Sequence, residues 1–369
     1  MTPKAVPDRI KLEFFPSNLM KQYFISTSGF QELVRSLLNE STVIAPIKTN
    51  EKPFIEDINS DNLKDIDLSG YRTVDSFKSY FFKLAEKVSR YFDKDEPAHR
   101  KKLTLIGARG CDLEALEVLD RVNTEGDFSD PFYASNRDKV LIIGADCTDC
   151  GDTCFCTMVK GKPYPTKLFD LDLSPIKGGY MVEIGSKNGE ELIEKKRRLF
   201  GEVFSGHSNE KERNRAKVTA LLDEKNKNYR LKFDLSGIHK RNLENKVWKV
   251  LTKDCVECSA CNFICPTCTC FLLIDNACSA GTGGERYKVW DACLKAGYQK
   301  VAGGANPRGK LYERLQNRYQ CKFDYSFDRL NRYTCVGCGR CIDGCAGNID
   351  MRKIFVELEK QAPLTAKLE

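Results

Sequence analysis

CVECSACNFICPTCTCF, from Cys255 to Phe271, carries six cysteines within sixteen residues, more thiols than any single metal centre uses. Cys255, Cys258, Cys261 and Cys265 follow the spacing C-x2-C-x2-C-x3-C, with Pro266 after the last, and Cys335, Cys338, Cys341 and Cys345 repeat it 80 residues later. Two residues between ligands let consecutive thiolates turn around one small inorganic cube, while the fourth thiolate of each run, as a rule of the motif, closes the other cube. The expected [4Fe–4S] ligand sets are therefore Cys255, Cys258, Cys261 and Cys345 for a first cluster, and Cys335, Cys338, Cys341 and Cys265 for a second. Structural zinc is the competing reading, because it also uses C-x2-C pairs. Zinc takes four ligands per site and does not account for a C-x2-C-x2-C run occurring twice.

Composition agrees with a reducing environment. The 369 residues include 18 cysteines, too sparse for a small disulfide scaffold, and the opening MTPKAVPDRIKLEFFP has no apolar stretch behind its charges. Secretion and disulfides are not expected, so crowded thiols read as metal or redox chemistry. No apolar run approaches the roughly 18 residues of a spanning helix, and the expected location is the cytoplasm. The net charge of +7 is the small excess of 59 basic over 52 acidic residues. Its densest stretch, Glu194 to Lys217, mixes both signs and has few aromatics, which favours a solvated helix or docking surface over a nucleic-acid patch.

Cysteine position divides the chain: none in residues 1–110, five in 111–156, none in 157–254, thirteen in 255–345 and none beyond. The expected fold class is α+β, with a mixed α/β domain over 1–194, a charged helical insertion or linker over 195–243, and a mainly helical, ferredoxin-like dicluster domain over 244–369. In the first part QELVRSLLN has helical spacing, STVIAPIK reads as a strand whose Pro46 argues for an edge, and LTLIGARG and KVLIIGAD are short β-type runs with the helical LEALEVLDRV between them. VDSFKSYFFKLAEKVSRYF puts Phe77, Tyr80, Phe81, Leu84 and Val88 on one helical stripe. In the last part RYKVWDACLKAGYQKV and KLYERLQNRYQ read as helices, and no convincing strand is visible.

Cys111, Cys147, Cys150, Cys154 and Cys156 form a second group, on loops at the ends of the expected strands. Spacing alone leaves open whether they are small buried hydrophobes or another metal centre. GTGGER (Gly281–Arg286) precedes a helix and follows no strand, and GANPRGKL (Gly304–Leu311) has Leu311 where a phosphate loop needs Ser or Thr; both read as plain loops. His99, His207 and His239 lie in charged, loop-like contexts and suggest no catalytic arrangement.

With these motifs in hand, the chain resembles a known family. CVECSACNFICPTCTCF, RYKVWDAC, GGANPRGKLYERLQNRYQCKF and CVGCGRCIDGCAGNID, together with IGARGCDLEALEVLD, DPFYASNRDKVLIIGADC and TCFCT, are similar to the dicluster iron–sulfur β subunit of cytoplasmic hydrogenases with sulfur reductase activity, and to an iron–sulfur subunit of anaerobic sulfite reductase. The resemblance implies an electron-transfer subunit with no catalytic residue of its own. It would relay single electrons between two partners, a flavoprotein NAD(P)-binding subunit on one side and a catalytic reductase or hydrogenase subunit on the other. The resemblance implies the eight motif cysteines as ligands, and a third [4Fe–4S] cluster on Cys111, Cys147, Cys154 and Cys156, with Cys150 extra. Ser259 stands where the family usually has Gly, Cys321 where it tends to have His, and Ala346 where it has Pro. The terminal acceptor stays open, because similar chains also accompany heterodisulfide-reductase-like complexes. The alternative is a reductase in its own right, acting on polysulfide or a disulfide through Cys268, Cys270 or Cys293 beside a cluster. Lys and Arg near the centres, such as Arg340, are expected to raise cluster potentials.

Overall fold

The computed structural model describes residues 14–15, 20–48, 52–91, 102–125, 128–244, 246–277 and 283–361. His99, Cys278, most of the opening stretch and the Gly281–Thr282 start of GTGGER lie outside the described residues. Eleven strands occur among the described residues: β1 (Gln22–Ser26), β2 (Thr42–Ile47), β3 (Phe54–Asp57), β4 (Ala85–Arg90), β5 (Leu103–Ala108), β6 (Val140–Ala145), β7 (Leu171–Ile176), β8 (Gly179–Ile184), β9 (Phe200–Gly201), β10 (Phe271–Ala277) and β11 (Gly284–Trp290). The fold class is mixed α+β, and the chain divides into two compact units, each assembled from separated stretches.

The first unit comprises Met1–Phe82, Asp95–Asp152 and Lys160–Leu222. Its eight-stranded sheet has the order β3-β2-β5-β6-β7-β8-β1-β9. Pairing is parallel from β2 through β7 and antiparallel at both flanks. LTLIGA and VLIIGA are apolar runs, broken only by the buried Thr104, because they form β5 and β6, buried nearly throughout, as central parallel strands are. The helix Thr27–Leu38 is capped by Ser26, whose side-chain oxygen accepts from the Gly29 N–H at 3.1 Å, and it lays Phe30, Leu33, Val34 and Leu37 on the core. Pro46 does not mark an edge, since β3 pairs outside β2. It lies past Ile44, the last β2 residue paired with β5, so that side of the ladder asks nothing of the missing N–H.

The charged stretch after residue 195 forms the 21-residue helix Ser205–Lys225, which has no apolar face of the usual kind. Lys211, Arg215, Val218 and Leu222 recur at helical spacing, and the two cations are the anchors. Arg215 Nε lies 2.7 Å from Asp146 Oδ2, and its Nη2 lies 3.0 Å from Asp172 Oδ2 and 3.3 Å from Glu183 Oε2. Its guanidinium stacks 4.3 Å from the Tyr164 ring centroid. Lys211 Nζ reaches the other Glu183 oxygen at 2.9 Å. Burial and the facing Asp146 push the Asp172 carboxyl well up, whereas for Glu183 the burial effect is outweighed by Lys211 and Arg215, which hold it low. The helix is thus held through its charges.

The second unit comprises Lys83–Lys94, Thr153–Val159 and Asp223–Glu369. Its core gathers Trp248, Tyr319, Phe323, Tyr333 and Phe355 around Leu315, Ile354 and Leu358, with ring centroids such as Phe323–Phe355 only 4.7 Å apart. Helices Leu311–Gln320 and Met351–Gln361 supply most of these side chains, the former as KLYERLQNRYQ predicts. Three expectations fail here. RYKVWDAC is not helical, because Arg286–Trp290 belongs to β11, which pairs antiparallel with β10 and β4. GTGGER accordingly leads into a strand. The expected helical stripe of residues 77–88 stops after the short helix Lys78–Phe81 and continues as β4, leaving Leu84 62% exposed. In each case the charges lie on strand positions that tertiary pairing satisfies: Lys288 is buried against Glu86 at 3.2 Å. His239 is likewise no loop residue; it is fully buried in the helix Leu235–Arg241, with Nδ1 2.5 Å from Asp324 Oδ2.

Replacing Arg215 by Met removes a group that serves three buried carboxylates. Thermal or denaturant unfolding should show a loss of about 3–5 kcal/mol, the usual cost of orphaning a buried ion-pair network. A loss under about 1 kcal/mol would mean that the helix is held otherwise.

Candidate metal centres

The two cysteine runs have the same local structure. In the first, Glu257 (φ 56°) and Ser259 (φ 61°) are left-handed; at the matching positions of the second stand Gly337 (φ 65°) and Gly339 (φ 73°). Each run then closes with a one-turn helix, Ala260–Phe263 or Arg340–Asp343, before its fourth cysteine. Alternating left-handed residues swing successive cysteines to one side of the loop, and glycine is the residue that does this without cost. The second run needs its glycines for space as well, since a Cβ at Gly339 would sit 2.2 Å from the Thr153 carbonyl oxygen. The first run compensates differently. Glu257 accepts from the Ala296 N–H at 2.9 Å and from Arg314 at 2.8 Å, whereas Ser259 is 1% exposed and its hydroxyl has no hydrogen-bond partner among the described residues.

The folded loops interleave. One small open cavity is lined by Cys255, Cys258, Cys261, Cys341 and Cys345, with Leu315, Tyr319 and Met351 as its apolar wall. It joins the first three thiols of one run to the last two of the other. The Ile349 N–H points at Cys345 Sγ, 3.3 Å away. On the other side, Cys265 lies within electrostatic reach of Cys335, which is buried, and Cys341, which is half-buried, and burial pushes Cys335 up to about 12 and Cys341 up to about 11. Among the described residues no three His, Cys, Asp or Glu groups are close enough to share a single metal ion. The donor set around the cavity is all sulfur, and sulfur donors spaced around a volume fit a thiolate-held cube.

Two buried cations face these thiols. Arg314, Arg318 and Lys322 form one row along the helix Leu311–Gln320 and the π turn Cys321–Tyr325, beside a buried row of Leu315, Tyr319 and Phe323. Arg314 is paired with Glu257, but neither Arg318 nor Lys322 has a carboxylate partner among the described residues. Arg318 donates to the Cys261 carbonyl at 3.0 Å, and Lys322 to Thr267 Oγ1 at 2.9 Å, itself 3.3 Å from Cys265 Sγ. Burial alone would lower both cations. Instead both are held well above their ordinary values by nearby cysteine sulfurs: Cys261, Cys341, Cys268 and Cys265 for Arg318, Cys265 and Cys268 for Lys322. Arg318 therefore addresses both thiol sets at once. Sequence reasoning named Arg340, which is fully buried at the head of its short helix, and missed this pair. The signal was present as cations at i and i+4 inside an apolar stripe.

The comparisons with known proteins fall on the same residues. Residues 254–349 match the 4Fe-4S dicluster domain. The match starts one residue before Cys255 and ends four after Cys345, so it takes in both runs and supports [4Fe–4S] clusters here. Over 349 residues the chain is also 28% identical to sulfhydrogenase 2 subunit beta of Pyrococcus furiosus, covering 92% of this chain and 99% of that protein. The resemblance read from the motifs thus extends through the first unit as well.

The remaining expected ligands lie apart from these runs in sequence. Cys111 opens the helix Gly110–Thr124, and Cys147 follows β6, with its N–H bonded to the Pro163 carbonyl at 2.9 Å; both belong to the first unit. Cys154 and Cys156 belong to the second, where the Phe155 N–H bonds the Gly337 carbonyl at 2.8 Å and Asn226 holds the Cys154 carbonyl at 2.8 Å. No helix among the described residues is long and apolar enough to cross a membrane.

The backbone geometry makes a paired prediction. Ser259→Gly should keep full iron content and leave thermal stability equal or higher, because it relieves a left-handed Cβ and an unpartnered hydroxyl. Gly339→Ala should lose about four irons per chain, one cluster's worth, or fail to load, because backbone blocks its Cβ. Iron and acid-labile sulfide assays on both variants check this; equal iron loss would show that the loops are not equivalent.

Proposed function

We propose that this chain is the iron–sulfur electron-transfer subunit of a multisubunit, cytoplasmic oxidoreductase of the hydrogenase or sulfur reductase type. It relays single electrons between a flavoprotein that handles NAD(P)H and a catalytic subunit. The observation that carries the reading is the interleaving of two identically folded cysteine runs around buried cations that face sulfur. The domain match and the name of the relative support it.

In this reading Cys255, Cys258, Cys261 and Cys345 hold one cluster, and Cys335, Cys338, Cys341 and Cys265 hold the other. When bound, such clusters supply one-electron chemistry at potentials set by charge, burial and hydrogen bonds to sulfur. The protein does the setting. Leu315, Tyr319 and Met351 keep water from the first site, the Ile349 N–H is aimed at a ligand sulfur, and Arg318 with Lys322 favours whichever state carries more negative charge. Loading the thiols requires their protons to leave, which the same cations assist. A third cluster on Cys111, Cys147, Cys154 and Cys156 belongs to the proposal on the strength of the family motifs.

Cys338→Ala should remove one cluster's iron and stop electron flow through the assembled complex while leaving the partner's flavin reducible. Unchanged turnover in that variant would sink the relay. Anaerobically purified protein should hold about twelve irons per chain with a third cluster and about eight without it. Loss of about four irons on replacing both Cys154 and Cys156 by Ser, with the motif clusters retained, assigns the third set.

A further inference from the structure

Asn262 follows the proposed ligand Cys261 in the one-turn helix Ala260–Phe263 and is 2% exposed. The matching position of the second run, next to Cys341, is Ile342. An amide carries two N–H donors and one carbonyl acceptor, and a buried one must find partners for them. Among the described residues every partner of this side chain is sulfur. Its Oδ1 lies 3.7 Å from Cys261 Sγ, and its Nδ2 lies 3.2 Å from Cys293 Sγ, with Cys268 Sγ farther off at the same end, 3.8 Å away. The backbone on both sides is fixed, because Arg318 donates to the Cys261 carbonyl at 3.0 Å and Gln299 to the Cys293 carbonyl at 3.0 Å. The amide therefore bridges a sulfur assigned to the first cluster and a buried sulfur assigned to none.

Which end of the amide faces which sulfur depends on where the protons are. A Cys261 thiol donates to Oδ1. A Cys261 thiolate holding iron has no proton to give, and a carbonyl oxygen turned toward it would meet negative charge. Half a turn about the Cβ–Cγ bond exchanges Oδ1 and Nδ2 with almost no change of shape. An N–H then points at Cys261 Sγ, and the carbonyl accepts from the Cys293 thiol. Cys293 is buried and is not a proposed ligand. It keeps its proton at neutral pH, where an ordinary cysteine is protonated and burial disfavours the thiolate further.

We propose that Asn262 is a positioning residue of the first cluster: its amide donates an N–H to the Cys261 ligand sulfur, and the Cys293 thiol holds the amide in that orientation. The inference rests on the ligand set proposed above. A hydrogen bond to a ligand sulfur stabilises the reduced, more negative cluster and raises its potential. Ile342 can give the second cluster no such bond, so two clusters built on identically folded loops are set apart by one side chain. Cys293 acquires a role in which its sulfur neither binds iron nor reacts.

The test is an EPR-monitored redox titration of the anaerobic, cluster-loaded protein, with the first cluster identified as the signal lost in Cys258→Ala and the second as the signal lost in Cys338→Ala. In Asn262→Leu the ratio of reduced to oxidised first cluster at a fixed potential should fall about tenfold, a downward shift of about 59 mV for a one-electron couple, while the second cluster moves far less. Iron and acid-labile sulfide should be unchanged. Asn262→Asp, equal in shape but with no N–H, should shift the first cluster the same way and carries the test if the leucine variant does not load. Cys293→Ala should lower the first potential by part of that shift, and Cys293→Ser, whose hydroxyl still donates, should restore it. An unmoved first potential, an equal shift of both clusters, or loss of the first cluster from both Asn262 variants overturns the proposal. So does loss of iron from Cys293→Ser, which would make Cys293 a ligand. Unaltered protein that holds no iron and sulfide after anaerobic purification would defeat the ligand assignment itself, a failure distinct from an unmoved potential in loaded protein.

Discussion

A buried cation without a carboxylate is the constraint around which the second unit is organised. Arg318 and Lys322 lie one helical turn apart, enclosed by Tyr319, Phe323 and the cysteine loops, and the anionic groups that hold their charge are sulfur. Burying two such charges costs several kcal/mol each unless something negative answers them. In the function proposed, thiolates around an iron–sulfur cube are that answer, and the fold and the cofactor would depend on each other. The helix that carries the cations reaches the cluster loops through the π turn Cys321–Tyr325, a local widening found more often at functional sites than elsewhere.

The same logic, with charges in place of apolar contacts, recurs in the first unit. There Arg215 answers Asp146, Asp172 and Glu183, and a helix whose composition suggests a solvated insertion is fixed to the sheet. In the first unit the row of cations carries what an apolar stripe usually carries, whereas in the second it runs beside one, Leu315, Tyr319 and Phe323. The helix Ser205–Lys225 therefore has almost no amphipathic signature, which is why hydrophobic patterning reads past it.

That explains how much the sequence could disclose. The ligand runs were legible because spacing between thiols is dictated by the cube itself, and the parallel strands β5 and β6 because central strands are apolar almost without interruption. The hairpin of β10 and β11 was not, because β10 is exposed along its whole length and β11 pairs its charges with β4, so neither shows the alternation of a half-buried strand. Ser259, read as a departure from the family pattern, is a residue in a glycine's conformation, and only the backbone reveals the equivalence with Gly339.

The central proposal is that Arg318, which faces cysteines of both runs, sets the potential of both clusters. An EPR-monitored redox titration of Arg318→Met against the unaltered protein tests it most directly. At a few ångströms and an effective dielectric near 20, loss of one buried positive charge should lower both midpoint potentials by something on the order of 100 mV, with iron content preserved. A shift confined to one cluster, or none in either, would contradict the account.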